Sequence, residues 1–243
     1  MSYGVFARYY DRLTSNVEYD SIAQFLSDVM KEYKPDCSLV VDLACGTGSI
    51  SVKLDAMGYD VIAVDRSYDM LSIARDKPSR RVMYLCQAMQ QLDLYGTVDA
   101  VVCVLDSVNH ITDERTLQKA FDRVSLFLEQ DGVFIFDANT EYKHEKVLGD
   151  ETFVYDMDDI YCVWQNTHGD NGVTNVSLDF FEREGEAYYR SEESFKERAY
   201  SDAQLCGMLD AAGMKVAARY ENYTYHEPTE TTQRVVYVCQ KKD

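Results

Sequence analysis

The sequence is poor in proline and glycine and has no long apolar run. Only 3 prolines and 12 glycines occur among its 243 residues, which excludes collagen-like chains and Pro- and Gly-rich disordered chains. The longest apolar run, residues 100–105, is far too short to cross a bilayer, and the N-terminus lacks a basic segment followed by an apolar one. We therefore expect neither a membrane-spanning nor a secreted protein, and a cytoplasmic location fits best.

Positive charge is scarce as well. The sequence has 24 Lys and Arg residues and 42 Asp and Glu residues, which gives a net charge of −18. Such a field repels phosphate backbones and anionic lipids, so we expect no nucleic-acid partner and no membrane partner. The 7 cysteines include no Cys-x-x-Cys pair and no histidine at ligand spacing. This pattern indicates reduced thiols, and it predicts no zinc or iron–sulfur metal site.

What the sequence does have is an alternation of short β-branched runs with segments of helical period between residues 39 and 137. This alternation is typical of a parallel sheet covered by helices on both faces. Helices are expected after Gly48, from Ser67 as N-cap and from Thr112 as N-cap. The fold class is therefore α/β, with a doubly wound, Rossmann-like core. The expected core strands are 39–43, 60–64, 82–86, 100–105 and 133–137.

The flanking segments have a different character. Aromatic residues at helical spacing in residues 1–34 predict two helices, which either pack on the sheet edge or form a lid. Residues 150–199 alternate and are rich in aromatic residues, which predicts an antiparallel β insert after the fifth strand, with strands at 161–168, 174–183 and 187–200. A capping box at residues 201–204 opens a helix, and two last strands complete a seven-stranded sheet. The expected regions are a helical lid (1–34), a cofactor-binding core (35–149), a β insert that covers the substrate (150–199) and a C-terminal helix and strands (200–243).

The most informative segment is VVDLACGTGSIS at residues 40–51. A buried strand runs into a glycine-containing turn and then a helix, so bare backbone and a helix N-terminus face the crevice above the strand ends. Ser51 stands where a dinucleotide-binding G-x-G-x-x-G would have its last glycine, and Asp42 would oppose a pyrophosphate. An acid there suits a ligand that carries a sulfonium and an ammonium, such as S-adenosylmethionine. Asp65 ends the next strand and could bind both ribose hydroxyls, although dehydrogenases place an acid similarly.

Four motifs in chain order resemble the class I S-adenosylmethionine-dependent methyltransferases. They are D-x-A-C-G-T-G at 42–48, V-D-x-S-x-x-M-L at 64–71, C-Q-A-M at 86–89 and Asp-Gly at 131–132. The first motif is specific for this superfamily when it lies between a strand and a helix.

Further segments extend the resemblance over most of the chain. Residues 7–13, 106–110, 136–140 and 228–234 resemble a largely uncharacterised bacterial methyltransferase subfamily. That subfamily is similar in layout to the sugar-amine N-methyltransferases, which also carry an antiparallel insert.

The resemblance implies cofactor roles at the matching positions. An acid before the turn and the turn itself would hold the methionine end, the acid after the second strand the ribose, and the following residues the adenine. Ala88 stands where an Asp is usual, so a side-chain acceptor for the adenine amino group is missing, which costs ~0.5–1.5 kcal/mol. The implied cofactor-binding residues are Asp42, Ala44, Gly46, Gly48, Asp65, Arg66, Met70, Ala88, Met89 and Leu105.

Methyl transfer by in-line displacement mainly requires alignment, and an acceptor that loses a proton benefits from a base. His110, which follows the fourth strand at the crevice mouth, is the candidate base, and Tyr10 the candidate lid contact. Asp106, Asn109 and Arg234 are candidate substrate contacts. The alternatives are that His110 only hydrogen-bonds in its loop, that Asp106 and Asn109 cap the next helix, and that Arg234 is a strand-end surface residue.

The sequence thus predicts a methyltransferase that uses S-adenosylmethionine and acts on a small-molecule amine or hydroxyl. No D-P-P-Y or N-P-P-Y motif follows the fourth strand, which demotes nucleobase and glutamine acceptors. Two alternatives stay open: a module that binds S-adenosylmethionine without transferring methyl groups, and a nicotinamide-dependent oxidoreductase. A homodimer is also open, because Tyr161 and Trp164 of the insert could form a subunit interface.

Overall fold

The computed structural model describes residues 4–79 and 81–242, and within these the chain forms two β-sheets with packed helices. The α-helices are α1 (Gly4–Leu13), α2 (Tyr19–Tyr33), α3 (Ser49–Ala56), α4 (Tyr68–Asp76), α5 (Glu114–Phe127) and α6 (Asp202–Ala211). The strands are β1 (Leu39–Leu43), β2 (Asp60–Asp65), β3 (Met83–Cys86), β4 (Val98–Cys103), β5 (Leu128–Asn139), β6 (Thr152–Asp156), β7 (Ile160–His168), β8 (Val173–Glu184), β9 (Ala187–Arg198), β10 (Met214–Glu221) and β11 (Arg234–Lys241). Single 3-10 turns cover Met89–Gln91, Ser107–His110 and Asp170–Gly172, and a π-helical turn covers Lys143–Leu148.

The main sheet has the strand order β10-β11-β5-β4-β1-β2-β3. Strands β1 to β5 pair in parallel, whereas β11 is antiparallel to both β5 and β10. The expected α/β doubly wound core, completed to seven strands by the C-terminal segment, is confirmed. Because the strand order reverses between β1 and β4, the carboxyl ends of these two strands open onto a crevice.

Helices cover both faces of the main sheet because its central strands are apolar on both sides. On one face, α5 and α6 bury Leu117, Phe121 and Leu205 against the strands. On the other face, α2 and α3 bury Leu26 and Leu54. Among the helices of the described residues, none is both long and apolar enough to cross a bilayer.

The second sheet is the expected antiparallel insert, with the order β6-β7-β8-β9. Helix α1 packs against it, with the ring of Phe6 5.9 Å from that of Phe195 and 6.4 Å from that of Trp164. Glu193 on β9 accepts hydrogen bonds of 2.9 Å from the backbone N–H groups of Val5 and Phe6, which lack partners within their own helix. Trp164 thus has a packing role within the chain, and α1 is tied to the insert at its start.

Some boundaries differ from the expectation. The N-cap of α5 is Asp113, whose carboxylate accepts the Thr116 N–H at 2.9 Å, and not the preceding Thr112. Both residue types cap helices well, so the sequence offered two adjacent candidates. Strand β4 ends at Cys103 and not at 105, because Leu105 and Asp106 adopt left-handed backbone conformations with φ of 58° and 53°.

The insert also differs in detail. Strand β6 (Thr152–Asp156) was not expected, and β9 ends at Arg198, two residues before the expected end. Strand β6 lies at the sheet edge with most of its side chains exposed, so it lacks the buried alternation that reveals a strand in sequence. The division into lid, core, insert and C-terminal regions stays a prediction.

Candidate active site

The turn after β1 is built from left-handed residues. Ala44, Gly46 and Gly48 have φ of 62°, 55° and 75°. A Cβ added at Gly48 would lie 3.1 Å from Cβ of Ala74 and 3.3 Å from the hydroxyl oxygen of Tyr84. Glycine is therefore needed at this position both for its backbone conformation and for the close packing of the α3 start against α4.

Asp42 lies at the end of β1, beneath this turn, and is buried. Its carboxylate accepts a 2.5 Å hydrogen bond from the hydroxyl of Ser51 on α3. Burial raises the pKa of Asp42 to about 7, with the nearby Asp65 adding to the rise and the Ser51 hydrogen bonds opposing it. An ionised carboxylate in this position has no buried cation to balance it among its hydrogen-bond partners, so a cationic ligand would be stabilised here.

Asp65 ends β2 and holds the turn in place. Its two oxygens accept backbone hydrogen bonds from Gly46, at 2.9 Å, and from Ser67, at 2.7 Å. Burial raises the pKa of Asp65, and these backbone hydrogen bonds oppose the rise. A carboxylate has about four acceptor sites, so capacity remains for hydroxyl groups of a ligand.

Two neighbouring cavities lie at the crevice. The larger, of about 800 Å³ including its open mouth, is lined by Asp65, Arg66, Met70, Ala88 and Met89, together with Phe6, Tyr10, Ala44, Gly46, Gln87, Gln90, Leu105, Ser107, His110 and Ile111. The smaller, of about 330 Å³, lies over Asp42 and the turn and shares Tyr10, Ala44, Gly46, Leu105 and Ser107 with the larger. Of the expected cofactor residues, only Gly48 lines neither cavity, because its role is conformational.

The segment after β3 carries glutamine amides near Ala88, where the sequence lacks a side-chain acceptor for the adenine. Gln87 and Gln90 both line the larger cavity. The Gln87 amide is engaged with the backbone of Asp93, at 3.0 and 3.2 Å, whereas Gln90 has no such partner among the described residues. The Gln90 amide therefore has a free donor and a free acceptor. Gln90 lies one residue beyond the C-Q-A-M motif, so a comparison of residue types within that motif does not find it.

The loop after β4 is fixed from below by Asp137 of β5. The buried Asp137 carboxylate accepts the backbone N–H groups of Leu105, at 2.8 Å, and Asp106, at 2.5 Å, and the hydroxyl of Tyr223 donates to it as well. These bonds stabilise the two left-handed residues, which otherwise cost energy for residues with a side chain. The loop is thereby aimed so that Leu105 lines the cavity.

Arg234 completes this support and is not a surface residue. Its guanidinium donates to Asp106 at 2.5 Å and to Asp137 at 2.9 Å. Although burial opposes it, Arg234, Lys143 and His110 hold the pKa of Asp106 below its usual range. Neither Asp106 nor Arg234 lines the described cavities, so both stand behind the loop.

Asn109 also supports the loop, since its amide bridges three backbone groups. Both N–H donors are used, to the carbonyls of Asn139 at 3.1 Å and Arg198 at 2.8 Å, and its oxygen accepts the Asn139 N–H at 2.9 Å. Asn109 is fully buried and lines neither described cavity. Its amide links β5 and β9 to the loop, and the prediction that Asn109 contacts substrate stays a prediction.

In contrast, both His110, on the 3-10 turn after β4, and Tyr10, on α1, line the larger cavity. Burial lowers the pKa of His110, although Asp106 and Asp65 oppose this, so the imidazole is neutral and able to accept a proton. Burial raises the pKa of Tyr10, so its phenol keeps its proton. The ring of Tyr10 packs edge-on against Phe6, 5.4 Å away, which orients it within the cavity.

Comparison with known proteins identifies the family. The pattern of a methyltransferase domain matches residues 40–132. A putative methyltransferase of Bacillus subtilis, YqeM, is 31% identical over 99% of this chain and 98% of its own. The chain belongs to the methyltransferase family. The crystal structure of an S-adenosylmethionine-dependent methyltransferase from Clostridium acetobutylicum is 32% identical, covers 99% of both chains and superposes with a TM-score of 0.90. The dTDP-3-amino-3,6-dideoxy-α-D-glucopyranose N,N-dimethyltransferase of Streptomyces fradiae is 29% identical over 49% of this chain and 47% of its own.

S-adenosylmethionine is the cofactor of this methyltransferase, and the residues present fit it. The methionine end carries positive charge, and the smaller cavity offers the buried acid Asp42 to it. The ribose hydroxyls require acceptors, which Asp65 has left, and the adenine requires both a donor and an acceptor, which the Gln90 amide has. The oxidoreductase alternative is excluded by the family assignment.

Proposed function

We propose that this methyltransferase methylates a small molecule at an amine or hydroxyl group, with an amine as the favoured acceptor. The supporting observation is the pair His110 and Tyr10, which line the cavity next to the cofactor-binding turn. A neutral imidazole and a protonated phenol together can accept one proton and donate one hydrogen bond. The S. fradiae relative is named for methylating a sugar amine, which is compatible with this acceptor class.

The chain's own groups would align the acceptor and remove its proton. S-adenosylmethionine, when bound, supplies a methyl group activated by a sulfonium leaving group. Tyr10 would position the acceptor atom through its hydroxyl, and Phe6 beside it would exclude water. His110 would take the proton that an amine or hydroxyl must lose. Asp106 and Arg234 would act by holding the loop, and the sequence-based proposal that they contact substrate stays open.

The remaining parts of the proposal concern the setting. Helix α1 would serve as a lid, since Asp11 accepts a 2.5 Å hydrogen bond from Thr47 in the cofactor turn and pairs at 2.8 Å with Lys77, which follows α4. The net charge of −18 favours a cytoplasmic protein that acts without nucleic acid or membrane. The half-exposed Tyr161 on the insert leaves a homodimer open.

A transfer assay with paired acceptors tests the acceptor class. Release of S-adenosylhomocysteine would be measured with small amines and with their hydroxyl counterparts, including 3-amino-3-deoxy sugars and the parent sugars. Turnover with amines is expected, and His110→Ala should lower kcat by about 10²–10⁴-fold, with little change in cofactor affinity. The matched control is His226→Ala, an exposed histidine far along the chain. Cofactor binding without transfer to any acceptor would instead favour the non-catalytic module.

A further inference from the structure

Glu197 is a buried carboxylate that the cofactor site does not use. It lies on β9 of the insert, is 4% exposed, and stands between two imidazole rings. One of its oxygens lies 3.7 Å from Nε2 of His110, and the other lies 3.9 Å from Nε2 of His144 on the π-helical turn. No hydrogen-bond donor reaches either Glu197 oxygen among the residues that the structure describes.

The other acids near Glu197 are fully paired. Asp106 and Asp137 share the guanidinium of Arg234, and backbone N–H groups bind Asp137 in addition. Lys143 donates to the side-chain oxygen of Asn139 at 3.0 Å. Three carboxylates therefore face two cations, and Glu197 is the carboxylate left without a hydrogen-bonded partner.

His144 also has a polar atom without a hydrogen-bond partner among the described residues. Its Nδ1 shares a 2.9 Å hydrogen bond with the Thr174 hydroxyl, but Nε2, which faces Glu197, is buried and has no partner in the described structure. His144 is itself completely buried. An unpaired buried polar atom is costly, so His144 Nε2 beside the Glu197 carboxylate indicates that a proton lies between them in one state of the protein.

The charges around this point decide where a proton would rest. Burial, reinforced by Asp106, raises the pKa of Glu197 to about 8, against the opposing effect of Lys143 and Arg234. Burial lowers the pKa of His110, and it lowers that of His144 to about 4. A proton that enters this cluster therefore rests on the carboxylate and not on either ring.

We infer that Glu197 is the positioning residue behind His110 and the final holder of the acceptor's proton. This inference rests on the proposed role of His110. One proton leaves the acceptor nitrogen and enters the His110 ring at the nitrogen that does not face Glu197, while the proton on Nε2 passes to Glu197. The ring ends neutral, as it began, and Glu197 changes from carboxylate to carboxylic acid, a step open to its ionised form, whose fraction grows as the pH rises through about 8. His144 Nε2 lies 3.9 Å from the second oxygen of Glu197, on the side away from His110.

Histidine NMR on the complex with S-adenosylhomocysteine tests this inference without any acceptor. The chain has 4 histidines, so ring signals can be assigned by single replacements. In the wild type, the ring signals of His110 and His144 should both report a titration step between pH 7 and 9. In Glu197→Gln this step should vanish, and in Glu192→Gln, the same change at an exposed position of β9, it should remain. A step that survives in Glu197→Gln, or no step in the wild type, overturns the inference.

Two further measurements keep the result decisive. With ¹³C-labelled glutamate carboxyl groups, the wild type alone should show a Glu197 carboxyl that titrates near pH 8, even if Glu197→Gln fails to fold; titration at an ordinary value near 4 would refute the inference. Calorimetry should show S-adenosylhomocysteine affinity within about threefold of wild type in Glu197→Gln, since Glu197 lines neither cofactor cavity. Failure of the proposed function would appear as absent transfer to every amine and hydroxyl acceptor, whereas failure of this inference would appear only in the titrations.

Discussion

The hydroxyl of Ser51 on α3 donates a 2.5 Å hydrogen bond to the buried carboxylate of Asp42 on β1. Ser51 is the residue that breaks a dinucleotide-binding glycine pattern, and the structure gives it a positive role. Its hydrogen bond stabilises the ionised form of Asp42 and so opposes the rise in pKa that burial causes. Serine at position 51 thus stands in place of the glycine that a pyrophosphate site needs. It also supports an acid that suits a cationic ligand.

The affinity for S-adenosylmethionine should depend on pH through Asp42. Because its pKa is raised to about 7, the ionised fraction rises about tenfold between pH 6 and pH 8, and affinity should rise up to the same extent. The same raised pKa means that this group's stabilisation of the free protein is present below about pH 4 and is lost as the pH rises through 7. In Asp42→Asn, calorimetric affinity at pH 8 should be lower and its profile flatter. Parallel profiles for both proteins would contradict the assignment.

Replacement of Asp65 should weaken cofactor binding and loosen the turn together. Asp65→Ala removes the acceptor for the N–H groups of Gly46 and Ser67 as well as for the ribose, so both S-adenosylmethionine and its demethylated product should bind at least about tenfold more weakly. The control is Asp60→Ala, at the exposed start of the same strand, which should leave affinity unchanged. Unchanged binding by Asp65→Ala would remove Asp65 from the ribose site.

Gly48→Ala should destabilise the fold by about 1–2 kcal/mol, because a side chain is disfavoured at φ of 75° and its Cβ would press against Ala74. For a chain of this length the melting temperature should fall by roughly 2–8 °C. Gly96→Ala is the matched control, since an added Cβ there meets nothing within 4 Å. Equal melting temperatures for the two variants would show that the turn relaxes freely.

Arg234→Met should be the most destabilising of these changes, by about 3–5 kcal/mol, since it leaves Asp106 and Asp137 buried without their cation. Arg190→Met, which breaks an exposed pair with Asp179, should cost about 1 kcal/mol or less. The pKa of Asp106 is held low in the wild type, so this part of the stability is present above its ordinary pKa and is lost at low pH. The difference between Arg234→Met and wild type in chemical denaturation should therefore shrink as the pH falls below about 4. A loss that is independent of pH would point to packing instead.

Local sequence determined the cofactor half of the protein. The strand-turn-helix at residues 40–51 requires glycine for backbone conformation and an acid for charge, and both requirements show in consecutive residues. The alternating core and the antiparallel insert follow from periodicity, which reflects burial on one face or on both. Strand β6 was not predicted because it is a mostly exposed edge strand. The predicted N-cap of α5, Thr112, was wrong by one residue because its neighbour Asp113 is an equally good cap.

Only the tertiary structure decided what the residues around the acceptor side do. Asn109 and Arg234 have the residue types of substrate contacts, but the structure uses their hydrogen bonds to connect β5, β9 and the loop after β4. No local motif marks Glu197, which is buried because β9 crosses the 3-10 turn that carries His110. Burial and partners join residues about 90 positions apart, and no local pattern in the sequence records such distances.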